Sequence, residues 1–541
     1  MNARSHGLWL CIVSLGLFQT PALAQLTEPV ELETGLLSGV TGSDPAVRVY
    51  RGVPYAAPPV GALRWRPPEP PHSWEGVRRA DAFSPGCVQQ LARSRPPWTE
   101  EFMHQGEVAE DCLYLNVWTA APNAAAMHPV LLYIHGGGFT EGSGSVAVYD
   151  GTNLAQRGLV VVTVNYRLGV LGFLAHPELT AEAGAESGHD AAGNYGMLDQ
   201  VAALRWVQHN IAAFGGDPNN VTIAGQSAGA MSAYLLTASP LATGLFHRAI
   251  VESGPGGLAS FGLRSSRALA GPLSEAETNG SEFATSKGAP SLRELRAMPV
   301  DSLTAPPPAG SPPLRFGPVI DGYFLPDDVA AIYARGDQND VPLLTGFNAD
   351  EASASPRYGK VTAEQFRSMA RQRYGESAAA FLELYPADTD EAAGNAQKVS
   401  QRELSAVALQ HLAAERARTA KTDAYLYFFE RGIPWPEHPE FGAFHTSEVP
   451  YVFNNLDLLD RPWTSVDRQL ADAMASYWVN FATRGDPNGQ GLPAWPTYED
   501  APRAVMVLGE QVGPREMPAD AARRAFFNAR LDSEARPEQT P

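Results

Sequence analysis

Short apolar runs of strand length alternate with helix-spaced apolar positions along this chain. Residues 130–134, 159–164, 221–224, 249–251, 341–345 and 424–429 are rich in Val, Ile, Leu and aromatic residues with little polar alternation, the pattern of strands covered on both faces. Between the second and third runs, Leu198, Val201, Leu204, Val207, Ile211 and Phe214 recur near helical spacing, and Gly215-Gly216 stops the pattern. An amphipathic helix is predicted there as a core element, in which Trp206 and His209 need no functional role. Further helical runs are predicted over residues 230–237 and 405–420. This alternation predicts an α/β fold with a large, mostly parallel central sheet flanked by helices. Two long irregular or helical stretches, residues 255–340 and 358–421, read as insertions after strand ends. Such insertions build the walls of a cleft in sheets of this kind.

With 541 residues, 44% hydrophobic and 18% charged, the chain can bury a large core, which excludes disordered and collagen-like classes. Proline and glycine are spread throughout, and the densest stretch, 304–313, is short enough to be a loop. No internal repeat is visible. One large unit over residues 25–541 is therefore expected. Ahead of it, Arg4, the apolar segment 7–18 and Ala22-Leu23-Ala24 before Gln25 have the form of a signal peptide, residues 1–24. The apolar segment is too short to span about 30 Å of hydrocarbon at about 1.5 Å per residue. No later segment is a better candidate, so the mature chain is expected to be exported, periplasmic or secreted, without an integral membrane segment. A formal charge of −19 with no basic stripe argues against nucleic acid as a partner. The sequence sets no oligomeric state.

Removal of residues 1–24 takes Cys11 and leaves Cys87 and Cys112, an even count for an oxidising compartment. Bonded, they would close a loop of about 25 residues, valued at about 3.5 kcal/mol by chain entropy. Two buried free thiols are the alternative reading. The pair lacks the close spacing of zinc ligands, and no metal motif is present.

The chemistry is concentrated at Gly225-Gln226-Ser227-Ala228-Gly229, between the 221–224 strand and the 230–237 helix. A strand, a glycine-flanked serine and a helix are what a nucleophile elbow requires. With 50 glycines in the chain such a pentapeptide arises readily by chance, so its context decides. Upstream, the 130–134 strand runs into His135-Gly136-Gly137-Gly138-Phe139. Consecutive glycines let backbone N–H groups converge without a side chain intervening, so the N–H groups of Gly137, Gly138 and Ala228 form a candidate oxyanion hole. The run lacks the Lys-Ser/Thr ending of a phosphate loop and the full spacing of a dinucleotide-binding one.

These segments, with Glu110-Asp111-Cys112-Leu113-Tyr114-Leu115-Asn116-Val117, Phe214-Gly215-Gly216-Asp217-Pro218 and Arg51-Gly52-Val53-Pro54-Tyr55-Ala56, resemble the type-B carboxylesterases, the family that includes the cholinesterases. The resemblance runs from about residue 35 to beyond 500 and implies the α/β-hydrolase fold. The triad order in that fold is nucleophile, acid, histidine. After the 341–345 strand, Asp350 and Glu351 compete for the acid, and chemistry alone divides evenly between them; the resemblance assigns Glu351. Of the later histidines, His411 sits in a helical run and His438 precedes Pro439, whereas the flanks of His445 are similar to the family's histidine loop. Ser253, in Glu252-Ser253-Gly254, resembles a family serine that supports the triad by hydrogen bonding.

The resemblance thus implies a serine carboxylesterase acting through Ser227, His445 and Glu351 and an acyl-enzyme, with a small-molecule ester as substrate and no cofactor. Gln226 stands where many relatives carry Glu, and at the offset of the choline-cradling tryptophan this chain has Phe102, with Trp98 nearby. Both departures argue against choline selectivity and toward small to medium uncharged, xenobiotic or natural-product esters. A lipase would share the chemistry but calls for a long apolar lid, and none is visible. A non-catalytic binding protein on the same fold is the other alternative, and the complete residue set argues against it.

Overall fold

The computed structural model describes residue 26 and residues 28–92, 94–261, 269–306 and 314–535; the expected signal peptide, 1–24, lies outside them. An 11-stranded sheet organises the described residues. Numbered in chain order, its strands are β1 (Val40–Thr41), β2 (Arg48–Pro54), β3 (Tyr114–Thr119), β4 (His128–Ile134), β5 (Val160–Val164), β6 (Gly216–Gln226), β7 (Arg248–Glu252), β8 (Leu343–Asn348), β9 (Ala424–Phe429), β10 (Ala504–Leu508) and β11 (Gly513–Glu516). They lie in the order β11-β10-β9-β8-β7-β6-β4-β5-β3-β2-β1. The strands from β10 across to β5 are parallel, and antiparallel strands close both edges. This is the mostly parallel α/β sheet predicted, with edges the sequence reading did not resolve.

Alternate residues of the central strands enter two different cores. On β4, Val130, Leu132 and Ile134 pack on one side with Val201, Leu204 and Val207 of helix α1 (Tyr195–Asn210) and Leu235 of helix α2 (Ala228–Ala238). Leu131 and Tyr133 point the other way, toward Met474, Trp478 and Phe481 of a later helix, Ser465–Arg484. With both faces covered, their buried stretches are mostly apolar at successive positions, which is why these strands read as near-continuous apolar runs.

The predicted 405–420 helix belongs to a longer one, Asp390–Ala417, and the predicted 221–224 strand extends over Gly216–Gln226; two further differences bear on local packing. The helix predicted through Phe214 ends at Asn210 and continues as a tighter turn, Ile211–Phe214, closed by Gly215 at φ +77°. The strand predicted at 341–345 is displaced to Leu343–Asn348. Gly346 reads as a turn residue, yet it pairs with Tyr427, and a Cβ there would lie 2.3 Å from the Tyr427 ring. Glycine is the residue that lets that ring pack across the strand.

The strand order also locates a crevice. From β4 the chain moves outward to β5, then returns past β4 to β6 and continues the opposite way. The carboxyl ends of β4 and β6 therefore flank a topological switch point, where open α/β sheets bind their ligands.

Candidate active site

Strand β6 ends at Gln226 and α2 starts at Ala228, so Ser227 alone makes the turn, at φ 59° and ψ −122°. A residue other than glycine held there stores about 1–3 kcal/mol of strain. The Ser227 N–H donates to the Glu252 carbonyl at 2.9 Å, and its own carbonyl accepts from the Met231 N–H at 2.9 Å. Both flanking glycines are required by close approach. A Cβ on Gly225 would stand 2.5 Å from the Gly229 carbonyl, and one on Gly229 would stand 1.9 Å from the Ile134 carbonyl oxygen.

The glycine run after β4 lies against this turn, since a Cβ on Gly136 would come 3.1 Å from the Ser227 Cβ. Gly137 and Gly138 adopt φ of +99° and +63°. The Gly137 carbonyl turns back to accept from the N–H groups of Thr140 and Glu141 at 3.0 and 3.1 Å. Among the described residues, neither the Gly137 nor the Gly138 N–H makes a hydrogen bond within the protein. His135 is a structural member of this loop: it is buried, stacks on Tyr166 with ring centroids 4.5 Å apart, and burial pulls its pKa down to about 4.

Glu351 and His445 are brought together. Oε2 of Glu351 lies 2.6 Å from Nδ1 of His445, and Oε1 accepts the Asn348 N–H at 2.8 Å. Burial alone would lower the His445 pKa, but the charge and hydrogen bond of Glu351, with the charge of Glu448, hold it above the ordinary histidine value. Asp350, the competing carboxylate, is turned elsewhere. It accepts from the Tyr358 hydroxyl at 2.8 Å, the Ala443 N–H at 3.1 Å and Arg402 at 3.3 Å, and so braces the strand-like bridge between Asp350 and Phe444. His411 and His438 lie by Glu415 and Glu440 respectively.

Gln226 places its amide nitrogen 3.4 Å from Nδ1 and 3.3 Å from Nε2 of His445. Nearly equal distances put the amide across the ring rather than along either nitrogen's lone pair. Ser253 is one step further away: its hydroxyl donates to Glu448 at 3.4 Å rather than to Ser227, Glu351 or His445.

Sequence reasoning missed a buried acidic pair behind these residues. Glu252 accepts from the Trp478 indole at 2.6 Å and from the Tyr133 hydroxyl at 3.3 Å. Glu448 accepts from Ser253 and from the Asn348 amide. Burial first, then the charge of Glu448, pushes Glu252 up to about 8; burial first, then the charge of Glu351, pushes Glu448 up to about 7. The available signal was Glu448 three positions after His445, within one turn of chain.

Ser227, His445, Gln226 and Gly136 to Gly138 line one cavity of about 260 Å³. Trp98, Phe102 and Tyr149 supply its aromatic wall. Among the described residues its lining comes from the 89–104 segment, residues 136–149, the elbow at Gln226 and Ser227, and His445 with Thr446, with no residue of 255–340 or 358–421. Those two insertions were expected to build the cleft walls. A disulfide joins Cys87 to Cys112 and closes the wall segment.

The profile of the Carboxylesterase family matches residues 27–526. The chain is 38% identical over 523 residues to the fumonisin B1 esterase of Sphingopyxis macrogoltabida, covering 93% of this chain and 91% of the relative. It is 34% identical to the cocaine esterase of Homo sapiens, over 92% of this chain and 90% of the relative. It is also 34% identical to the para-nitrobenzyl esterase of Bacillus subtilis (strain 168), over 92% and 98%. With a family match over nearly its whole length and esterases as its relatives, the chain belongs to the type-B carboxylesterase family of α/β hydrolases and is a carboxylic-ester hydrolase.

Proposed function

We propose that ester hydrolysis proceeds through Ser227 as nucleophile, His445 as general base and then acid, and Glu351 as the group that orients the imidazole and stabilises its protonated form. The observation that carries this reading is the 2.6 Å contact between Glu351 Oε2 and His445 Nδ1, with His445 opening on the same cavity as Ser227. A carboxylate on Nδ1 fixes the proton there and leaves Nε2 to accept one. His445 takes the Ser227 proton as the hydroxyl oxygen attacks the ester carbonyl carbon. The N–H groups of Gly137, Gly138 and Ala228 receive the developing alkoxide, each donor contributing about 3–4 kcal/mol to the transition state. Collapse of the tetrahedral intermediate breaks the bond to the alcohol oxygen, which leaves with the proton from His445. Water then gives a proton to His445 as its oxygen attacks the acyl carbon; collapse breaks the bond to Ser227 Oγ, which takes that proton back from His445, and the acid is released.

The substrates on this reading are small to medium uncharged esters. A neutral Gln226 amide lies across the base, the wall is aromatic, and the rim charges Arg95 and Glu141 neutralise one another. Ser253 and Gln226 support the triad, Ser253 through Glu448. We also infer that the working enzyme is exported as one unit after loss of residues 1–24. The disulfide suits an oxidising compartment, and no helix of the described residues is long and apolar enough to cross a membrane.

The test is Ser227→Ala on a short-chain aryl ester, with organophosphate labelling of the unmodified enzyme read by peptide mass. Turnover is expected to vanish and the label to fall on Ser227. Retained turnover, or a label on another residue, would overturn the assignment.

A further inference from the structure

The cavity wall facing Ser227 is more than a lining. Three side chains of the disulfide-closed segment grip the two loops that carry the chemistry. Gln89 bonds both backbone groups of Gly142, accepting its N–H at 2.7 Å and donating to its carbonyl at 2.8 Å. Arg95 pairs with Glu141, whose N–H holds the Gly137 carbonyl at 3.1 Å. These two contacts anchor the segment on the glycine loop. The third reaches the histidine loop: the Trp98 indole N–H donates to the Thr446 hydroxyl at 2.8 Å and to the His445 carbonyl at 3.1 Å.

Two local features show that this last contact bears on geometry. Thr446 sits at φ 84°, a region that a β-branched residue enters only when its surroundings hold it. The indole is itself held in place. Arg95 and Trp98 exchange backbone hydrogen bonds of 2.7 and 2.9 Å across Pro96-Pro97, whose φ angles are fixed by their rings, and the Arg95 guanidinium lies 5.3 Å from the Trp98 ring centroid. A rigid donor thus meets a strained acceptor directly beside the imidazole.

We propose that Trp98 is a positioning residue for His445, and that through it the Cys87–Cys112 segment holds the histidine loop and the glycine loop in one register. The proposal rests on His445 being the general base. A tryptophan that only shaped the pocket would set which esters fit. One that positions the base sets the rate for every ester.

Trp98→Phe keeps a ring against Arg95 and removes the N–H donor. On a series of aryl esters differing in acyl length, kcat is expected to fall about fivefold for each, the size of one net hydrogen bond, with KM little changed. The acid limb of the kcat/KM profile should move to lower pH, because a looser Glu351 contact no longer holds the imidazole pKa up. Unchanged kcat and limb, or a loss confined to the KM of the larger esters, would overturn the proposal. Should Trp98→Phe fail to fold, Arg95→Met on the half-exposed partner poses the same question. It should lower kcat across the series with KM retained, and an unchanged kcat would count against the positioning role. A His445→Ala control separates the two readings. Turnover surviving in it removes the base assignment, whereas turnover lost in it beside an unaffected Trp98→Phe removes the positioning role alone.

Discussion

In the proposed mechanism His445 must be neutral to accept a proton, so the group that raises its pKa also sets the pH at which the enzyme begins to work. Glu351 does this by charge and by a 2.6 Å hydrogen bond, against the opposing pull of burial. Activity should therefore rise with pH through a limb above about 6.5, the ordinary histidine value. In Glu351→Gln the charge is gone and the tautomer is no longer enforced. The kcat should fall about 10³–10⁴-fold, by analogy with neutralised triad acids, and the residual limb should shift down. A pH–rate profile of the variant that kept its limb would count against Glu351 as the partner. At this scale much of the site was legible: a glycine-flanked serine and a glycine run are local signals. Asp350 and Glu351 were not separable by chemistry, because adjacent carboxylates differ only in where the folded loop points them. The Asp350–Phe444 bridge engages one, and the other meets the imidazole.

Between strand β7 and the histidine loop, the chain has buried two carboxylates without a basic side chain among their hydrogen-bond partners in the described residues. Glu252 ends β7, the neighbour of β6, and its carbonyl also holds the Ser227 N–H. Its folded pKa of about 8 stands above the ordinary 4.5. As pH rises from about 4.5 to about 8 the unfolded chain releases this proton while the folded one keeps it, so stability falls across that window. Glu252→Gln preserves an acceptor for Trp478 and removes the titration. Its melting temperature should fall less between pH 5 and pH 8 than that of the parent protein, as thermal melts at the two pH values would read directly. Equal slopes would mean that Glu252 is ionised in the folded protein. No periodicity announced this pair. Glu252 sat at the end of an apolar run, and its burial follows from β7 lying between β6 and β8.

Across the whole molecule, the segment that shapes the cavity precedes most of the sheet in sequence and reaches it only through tertiary contacts. The Cys87–Cys112 bond spans a sequence separation of 25, so reduction should lower unfolding free energy by about 3.5 kcal/mol on the chain-entropy account. It should lower activity with it, since the same segment bears on both catalytic loops. Urea midpoints with and without reductant, alongside turnover, check this; coincident midpoints would show that the cross-link adds nothing to the folded state. By itself the sequence determined the α/β class and the family, and it offered the candidate serine, acid and histidine in the order the proposed mechanism uses. Those properties are written in local periodicity, in glycines that steric contact demands, and in motif order. Only the tertiary structure decided where Asp350 turns instead, which segments line the pocket, and that a tryptophan 347 residues from His445 donates to its carbonyl. Contacts between distant segments depend on how the sheet brings them together, and no local pattern encodes that.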